Sequence, residues 1–185
     1  MIRVSEDVIE RDIDRAVAAS KRSDSGLWLA GFFAHRVWRT YEIDAMATIA
    51  QQCGKDKSTV ENWCHAYELY NRLRRLFRTE ARQLRKALTP SHFWTAWELQ
   101  RKYALADADV IFQLEQMVNY KAVGQTHGVS VLRQEVEAEQ EQQGRSPTWD
   151  YYLPKLRTLY VSLLAADVPE NVGAWLADAP EEVKA

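Results

Sequence analysis

The sequence predicts an all-α fold, and three observations carry that prediction. Only seven glycines and five prolines interrupt 185 residues. Apolar residues recur at spacings of three and four along most of the chain, the period of a helix with one buried face. No stretch alternates apolar and polar residues for long enough to make a half-buried strand. The architecture expected is a multi-helix domain over residues 1–143 and a C-terminal helical segment over 144–185, joined at Gly144-Arg145-Ser146-Pro147.

Each element has its own warrant. Ser5 followed by Glu6 and Asp7 reads as a helix cap with an acidic first turn, and Val8, Ile9, Ile13, Ala16 and Val17 share one face of the first helix. Ser23 to Gly26 ends it. Leu27 to about Thr40 is apolar nearly all round and predicts a buried central helix. Ile43 to Gln52 predicts a third helix, broken at Gly54. Neither glycine nor proline occurs from Ser58 to Leu88, where Val60, Trp63, Tyr67, Tyr70, Leu73, Phe77, Leu84 and Leu88 keep helical spacing. One long helix and two helices in series both satisfy that spacing. Thr89 and Pro90 restart the chain as cap and first helical residue. Asp107 or Asp109 caps the next helix, and Ser130 opens another that runs into the acidic stretch Glu135 to Gln143. Trp149 to Leu164 and Pro169 to Ala177 read as two more, with a kink or restart at Pro154.

Composition excludes some classes of function. The longest apolar run, Leu27 to Ala34, is about eight residues, against the roughly eighteen needed to span a membrane. The opening MIRVSEDVIERD carries no signal-peptide core. A soluble, cytoplasmic protein is expected. The net charge of −2 conceals a polarity along the chain. Residues 1–60 balance, residues 61–106 carry nine Lys/Arg against four Asp/Glu, and residues 107–185 carry six against thirteen. The middle third therefore presents a positive field.

That field begins inside a helix-turn-helix pattern, MATIAQQCGKDKSTVENWCH, from Met46 to His65. Two helices crossing steeply through a short turn need a small residue where they touch, a glycine at the turn, and apolar residues pinning the second helix. Ala50 beside Ile49, Gly54, and the pair Val60 and Trp63 fill those places. Ser58 and Glu61 form a capping-box pattern at the start of the second helix. Lys55, Lys57, Ser58, Thr59, Glu61, Asn62 and His65 are then expected to point outward. Asn62 suits a bidentate contact with adenine, Lys57 suits guanine or phosphate, and Ser58 and Thr59 suit phosphate. Further along, Arg75, Arg78, Arg82, Arg85 and Lys86 fall in one helical sector flanked by Arg72 and Arg74, a stripe of the kind that tracks a phosphate backbone.

The order of three phrases resembles the DNA-binding module of ParB/KorB-type partition proteins. They are Ile43 to Trp63, then LTPSHFWTAWEL from Leu88 to Leu99, then GVSVLRQEVE from Gly128 to Glu137. The resemblance implies sequence-specific duplex binding, with the helix that starts near Ser58 in the major groove and the later helices bracing it. Proteins of that type carry an N-terminal nucleotide-binding domain with an Arg-rich motif. The forty or so residues before this helix-turn-helix are helical and too few for it, so nucleotide-dependent clamping is not implied.

Other constellations carry less. Cys53, Cys64 and His65, with His35 or His92, lack the paired spacing of structural zinc, and both cysteines sit where small buried residues belong. No Walker-type loop, GxSxG or HExxH occurs, and the GQTHG loop at Gly124 to Gly128 offers a histidine without a partner. Glu135, Glu137, Glu139 and Glu141, spaced by two, scatter round a helix and read as a solvated face. Neither a cofactor nor catalysis is expected. Trp28, Trp38, Trp63, Trp94 and Trp97 read as core; Trp149, Tyr151 and Tyr152 read as a partner surface, with self-association through Pro147 to Ala177. The reading is a non-enzymatic double-stranded-DNA-binding protein of regulator or partition-adaptor type. Two alternatives stand beside it: a helical adaptor binding protein through the acidic C-terminal half, and an RNA or single-strand binder using the arginine stripe with Tyr67, Tyr70 and Phe77.

Overall fold

A computed structural model describes residues 5–22, 24–125, 127–148, 151–154 and 156. All regular structure among them is helical. The order is α1 (Glu6–Ser20), α2 (Asp24–His35) continued by a π-helical turn (Arg36–Thr40), α3 (Met46–Cys53), α4 (Lys57–Leu76), α5 (Arg78–Ala87), α6 (Pro90–Tyr103), α7 (Asp107–Ala122) and α8 (Val129–Gln142). No helix among the described residues is long and apolar enough to cross a membrane.

Helix α4 is the spine. Its first turns bury Val60, Trp63 and Cys64 in a core with Ala16, Val17, Ala34, Val37, Ile49 and Ala50 from α1, α2, the π turn and α3. Its later turns bury Ala66, Leu69, Tyr70 and Leu73 in a second core with Phe93, Leu99, Leu114, Met117, Leu132 and Val136. Both cores hang on one helix, so a displacement of α4 is felt in both.

Several boundaries depart from the sequence reading. The third helix begins at Met46, three residues later than expected, where Asp44 accepts a hydrogen bond from the Met46 amide at 3.3 Å. Helix α4 begins at Lys57 with Asp56 as N-cap, which puts Ser58 and Glu61 inside the helix. The capping box is not formed, and Glu61 instead lies 3.8 Å from Lys57. Ala106 is the N-cap of α7, and Asp109 reaches back to accept from its amide at 3.2 Å. Gly128, not Ser130, precedes α8. The stretch Ser58–Leu88 is two helices, separated at Phe77 with φ −128° and ψ 67°.

Two buried polar groups shape the fold. On the apolar side of α1, Asp12 is fully buried; the Arg36 guanidinium donates to it through Nε at 2.5 Å, and the Tyr41 hydroxyl donates at 2.9 Å. Burial, then the bond to Asp12, raises the Tyr41 pKa. In α6, His92 donates from Nε2 to the His127 carbonyl at 2.7 Å. A carbonyl only accepts, so Nε2 carries a proton, and in the neutral ring Nδ1 accepts from the Thr89 hydroxyl, 2.9 Å away. Thr89 is thus the N-cap residue of α6 as expected, and its hydroxyl serves the imidazole instead of the helix amides.

Burial lowers the pKa of both His92 and His35 below the ordinary 6.5. The unfolded chain therefore binds more protons than the native one once the pH falls through about 6.5. The contribution of the two histidines to stability is full above that pH and is lost progressively as the pH falls toward the lowered native values. The melting temperature is expected to decline from pH 7 to pH 5, and the decline should shrink in His92→Gln. A melting temperature flat across that interval would refute this account.

The segment after α8 is anchored. Thr148 donates its amide to Lys102 O at 2.7 Å and its hydroxyl to Arg101 O at 3.1 Å, and the Tyr151 hydroxyl donates to Glu98 at 2.7 Å. Residues 144–148 thus dock on the end of α6. Trp149 and most of the expected self-association segment lie outside the described residues.

Candidate nucleic-acid interface

The α3–α4 corner forms as its residues dictate. Gly54 takes the left-handed conformation, φ 64° and ψ 39°, and its amide bonds back to the end of α3. The Lys55 amide donates to Ala50 O at 2.9 Å, closing the turn. Ile49, Ala50, Val60 and Trp63 are all buried at the crossing.

Beyond the turn, Lys55, Lys57 and Ser58 are exposed. Lys57 Nζ donates to Asp44 at 3.0 Å, a bond that raises the lysine pKa and lowers that of Asp44. Thr59 and Asn62 are half-buried, which corrects the expectation that they point freely outward. They line a cleft of about 250 Å³ with Trp63, Pro90, Ser91, Trp94, Thr95 and Val129. Thr59 is in the first turn of α4, Pro90 and Ser91 open α6, and Val129 opens α8. The N-terminal ends of these helices, the positive ends of their dipoles, therefore meet at one cleft.

His65 also departs from the outward set. Its ring stacks on Trp97 with centroids 3.8 Å apart, and its Nδ1 lies 3.3 Å from Glu68. That hydrogen bond, outweighing burial, lowers the Glu68 pKa, and Arg39 sits 3.2 Å from the same carboxylate. His65 thus ties α4 to α6.

The arginine stripe does not survive as one face, because the break at Phe77 re-aims everything after it. Arg72 is committed to Asp107 at 3.1 Å and to Gln100, bracing α4 against α6 and α7. Arg75 and Arg78 are exposed beside the break. Arg82, Arg85 and Lys86 instead join Arg74 and Lys121 around a second groove, floored by Trp28 and Tyr70. Lys121 and Trp28 were not singled out from sequence as binding residues; tertiary contact alone brings them there.

The acidic C-terminal stretch is also less free than its composition implied. Glu137 pairs with Lys102 at 2.5 Å, Glu98 with Arg133 at 2.6 Å, and Glu139 accepts from Gln113. Glu137 neutralises a cation and Glu139 accepts from a neutral amide within the fold, which corrects the reading of Glu137 and Glu139 as a solvated face. Cys64 is buried with its thiol 3.7 Å from Met46 sulfur, and burial raises its pKa strongly. Cys53 accepts from the Ser20 hydroxyl at 3.1 Å.

No known protein family, curated protein or solved structure matches this chain.

Proposed function

We propose that this protein binds double-stranded DNA in a sequence-specific way through the α3–α4 corner, as a regulator or partition-type adaptor would. One observation carries the reading: the N-terminal ends of α4, α6 and α8 share one cleft beside exposed Lys55, Lys57 and Ser58. Helix N-termini attract phosphates through unpaired amides and the dipole, and lysines beside them add charge without fixing sequence. Asn62, which lines the cleft, carries the donor and acceptor that would read an adenine edge. The order of the three phrases resembling a partition-protein module supports the same reading.

Selection from random duplexes at low salt is the test. A defined site should be enriched, with affinity falling steeply as salt rises. Lys55→Ala should weaken all duplexes alike and flatten the log–log salt slope by about one unit. Asn62→Ala should leave that slope alone and relax preference at one base pair, worth roughly 1–3 kcal/mol of discrimination. Failure to enrich any site would sink the proposal.

A further inference from the structure

The second groove, about 690 Å³, gathers five cations. Arg74, Arg82, Arg85, Lys86 and Lys121 line it, and no carboxylate does. Elsewhere Arg72, Lys102 and Arg133 each face a carboxylate, whereas none of these five forms an ion pair among the described residues. Part of the cluster has work within the fold. Lys86 and Lys121 sit in the last turns of α5 and α7, where cations offset the helix dipole, and Lys121 donates to Ala87 O at 2.9 Å. Arg74 and Arg85 share such last-turn positions in α4 and α5, and Arg74 donates to Asn71 at 3.0 Å, but no carboxylate holds Arg74, Arg82 or Arg85.

The shape narrows the ligand. A groove of this volume takes a drug-sized molecule or a few nucleotides, not a double helix. Its floor is Trp28 and Tyr70, packed edge to face at 5.5 Å and only 5% and 3% exposed, so no base enters between them. Over that floor lies the Arg85 guanidinium, 5.1 Å from the Tyr70 ring and 5.7 Å from Trp28. Arg85 is exposed, and a guanidinium plane is a cationic platform of the kind on which unpaired bases stack. The C-terminal end of α5, at Ala87 and Leu88, opens onto the same groove. That negative dipole end disfavours a compact polyphosphate and tolerates a chain that spreads one charge per nucleotide.

We infer that this groove binds a short run of single-stranded nucleic acid, its phosphodiesters on Arg74, Arg82 and Arg85 and a base on the Arg85 plane. The site is reached from residues 70–74 of α4, whereas the duplex cleft is reached from residues 59–63, and it stands independently of the duplex proposal.

Fluorescence anisotropy on the full chain tests it, with labelled twelve-nucleotide oligothymidylate, oligouridylate and a duplex as separate probes. At low salt at least one single strand should bind, and Arg82→Glu with Arg85→Glu should weaken it by about tenfold or more while duplex binding and the melting temperature hold. Lys55→Glu should do the reverse, weakening the duplex alone. If the double reversal lowers the melting temperature, Arg82→Gln is read in its place, with a loss of about threefold expected. Absence of single-strand binding, single-strand binding indifferent to the arginines, or displacement of the strand by equimolar inorganic tripolyphosphate would each overturn the assignment. So would a parallel loss of duplex affinity in the double reversal, which would make the groove a duplex contact. Which strand binds tells DNA from RNA.

Discussion

Asp12→Ala is expected to destabilise the protein by about 3–5 kcal/mol, the range for removing one partner of a buried ion pair. For a chain of this size each kcal/mol shifts the melting temperature by roughly 2–4 °C, so a fall of about 10 °C should be seen. Asp12 is fully buried on α1, with Arg36 and Tyr41 bonded to one carboxylate oxygen and Arg15 3.5 Å from the other. Removing the carboxylate strands the Arg36 guanidinium against the Phe32 and Phe33 rings, 5.7 Å and 5.8 Å away, with its counter-charge gone. The loss is specific to the leftover charge. Asp12→Ala with Arg36→Met should therefore be less destabilised than Asp12→Ala alone, since an apolar replacement of the whole pair is often near neutral. A fall of less than about 1 kcal/mol in the single variant would show that water takes over the carboxylate's role, and would remove Asp12 as the clamp between α1 and the π-helical turn.

How far such features were legible depends on the range of the interaction. The α3–α4 corner could be read because its parts are local: Gly54 needs a left-handed backbone, and Ile49, Ala50, Val60 and Trp63 lie within fifteen residues of one another. The break at Phe77 could not. No glycine or proline marks it, and it exists because Leu73 before it and Ala81 and Leu84 after it bury into one core from two directions. Nothing near Asp12 in sequence marks it as buried; its partner lies 24 residues away, in a turn whose π geometry has no composition signature. His65 was placed outward because nothing near it in sequence announces Trp97 as a stacking partner. The charge blocks were correct as sums and misleading as fields, since Arg72, Lys102 and Arg133 each spend their charge on a carboxylate of another helix.

Gly31→Val should be the other severely destabilising change, at about 3 kcal/mol, and its effect should reach the cleft proposed to bind DNA. Glycine inside a helix costs about 1 kcal/mol relative to alanine, so one in the apolar run of α2 demands a reason. The reason is contact: a Cβ on Gly31 would lie 2.5 Å from the Trp63 carbonyl oxygen and 3.0 Å from its carbonyl carbon. Those atoms are backbone in the middle of α4's buried stretch, so no side-chain rotation relieves the clash. The helices must separate instead. Because Val60 and Cys64 pack in one core and Ala66 and Leu69 in the other, the separation opens both. Trp63 also lines the cleft with Asn62 and Trp94, so the same shift should weaken duplex binding in whatever fraction stays folded. Gly54 is the control. It has φ 64° and open space around its missing Cβ, so Gly54→Ala costs only the left-handed strain, about 1 kcal/mol, and disturbs the turn alone. Thermal melting should rank Gly31→Val well below Gly54→Ala. Equal stabilities would mean that α2 and α4 do not approach through Gly31.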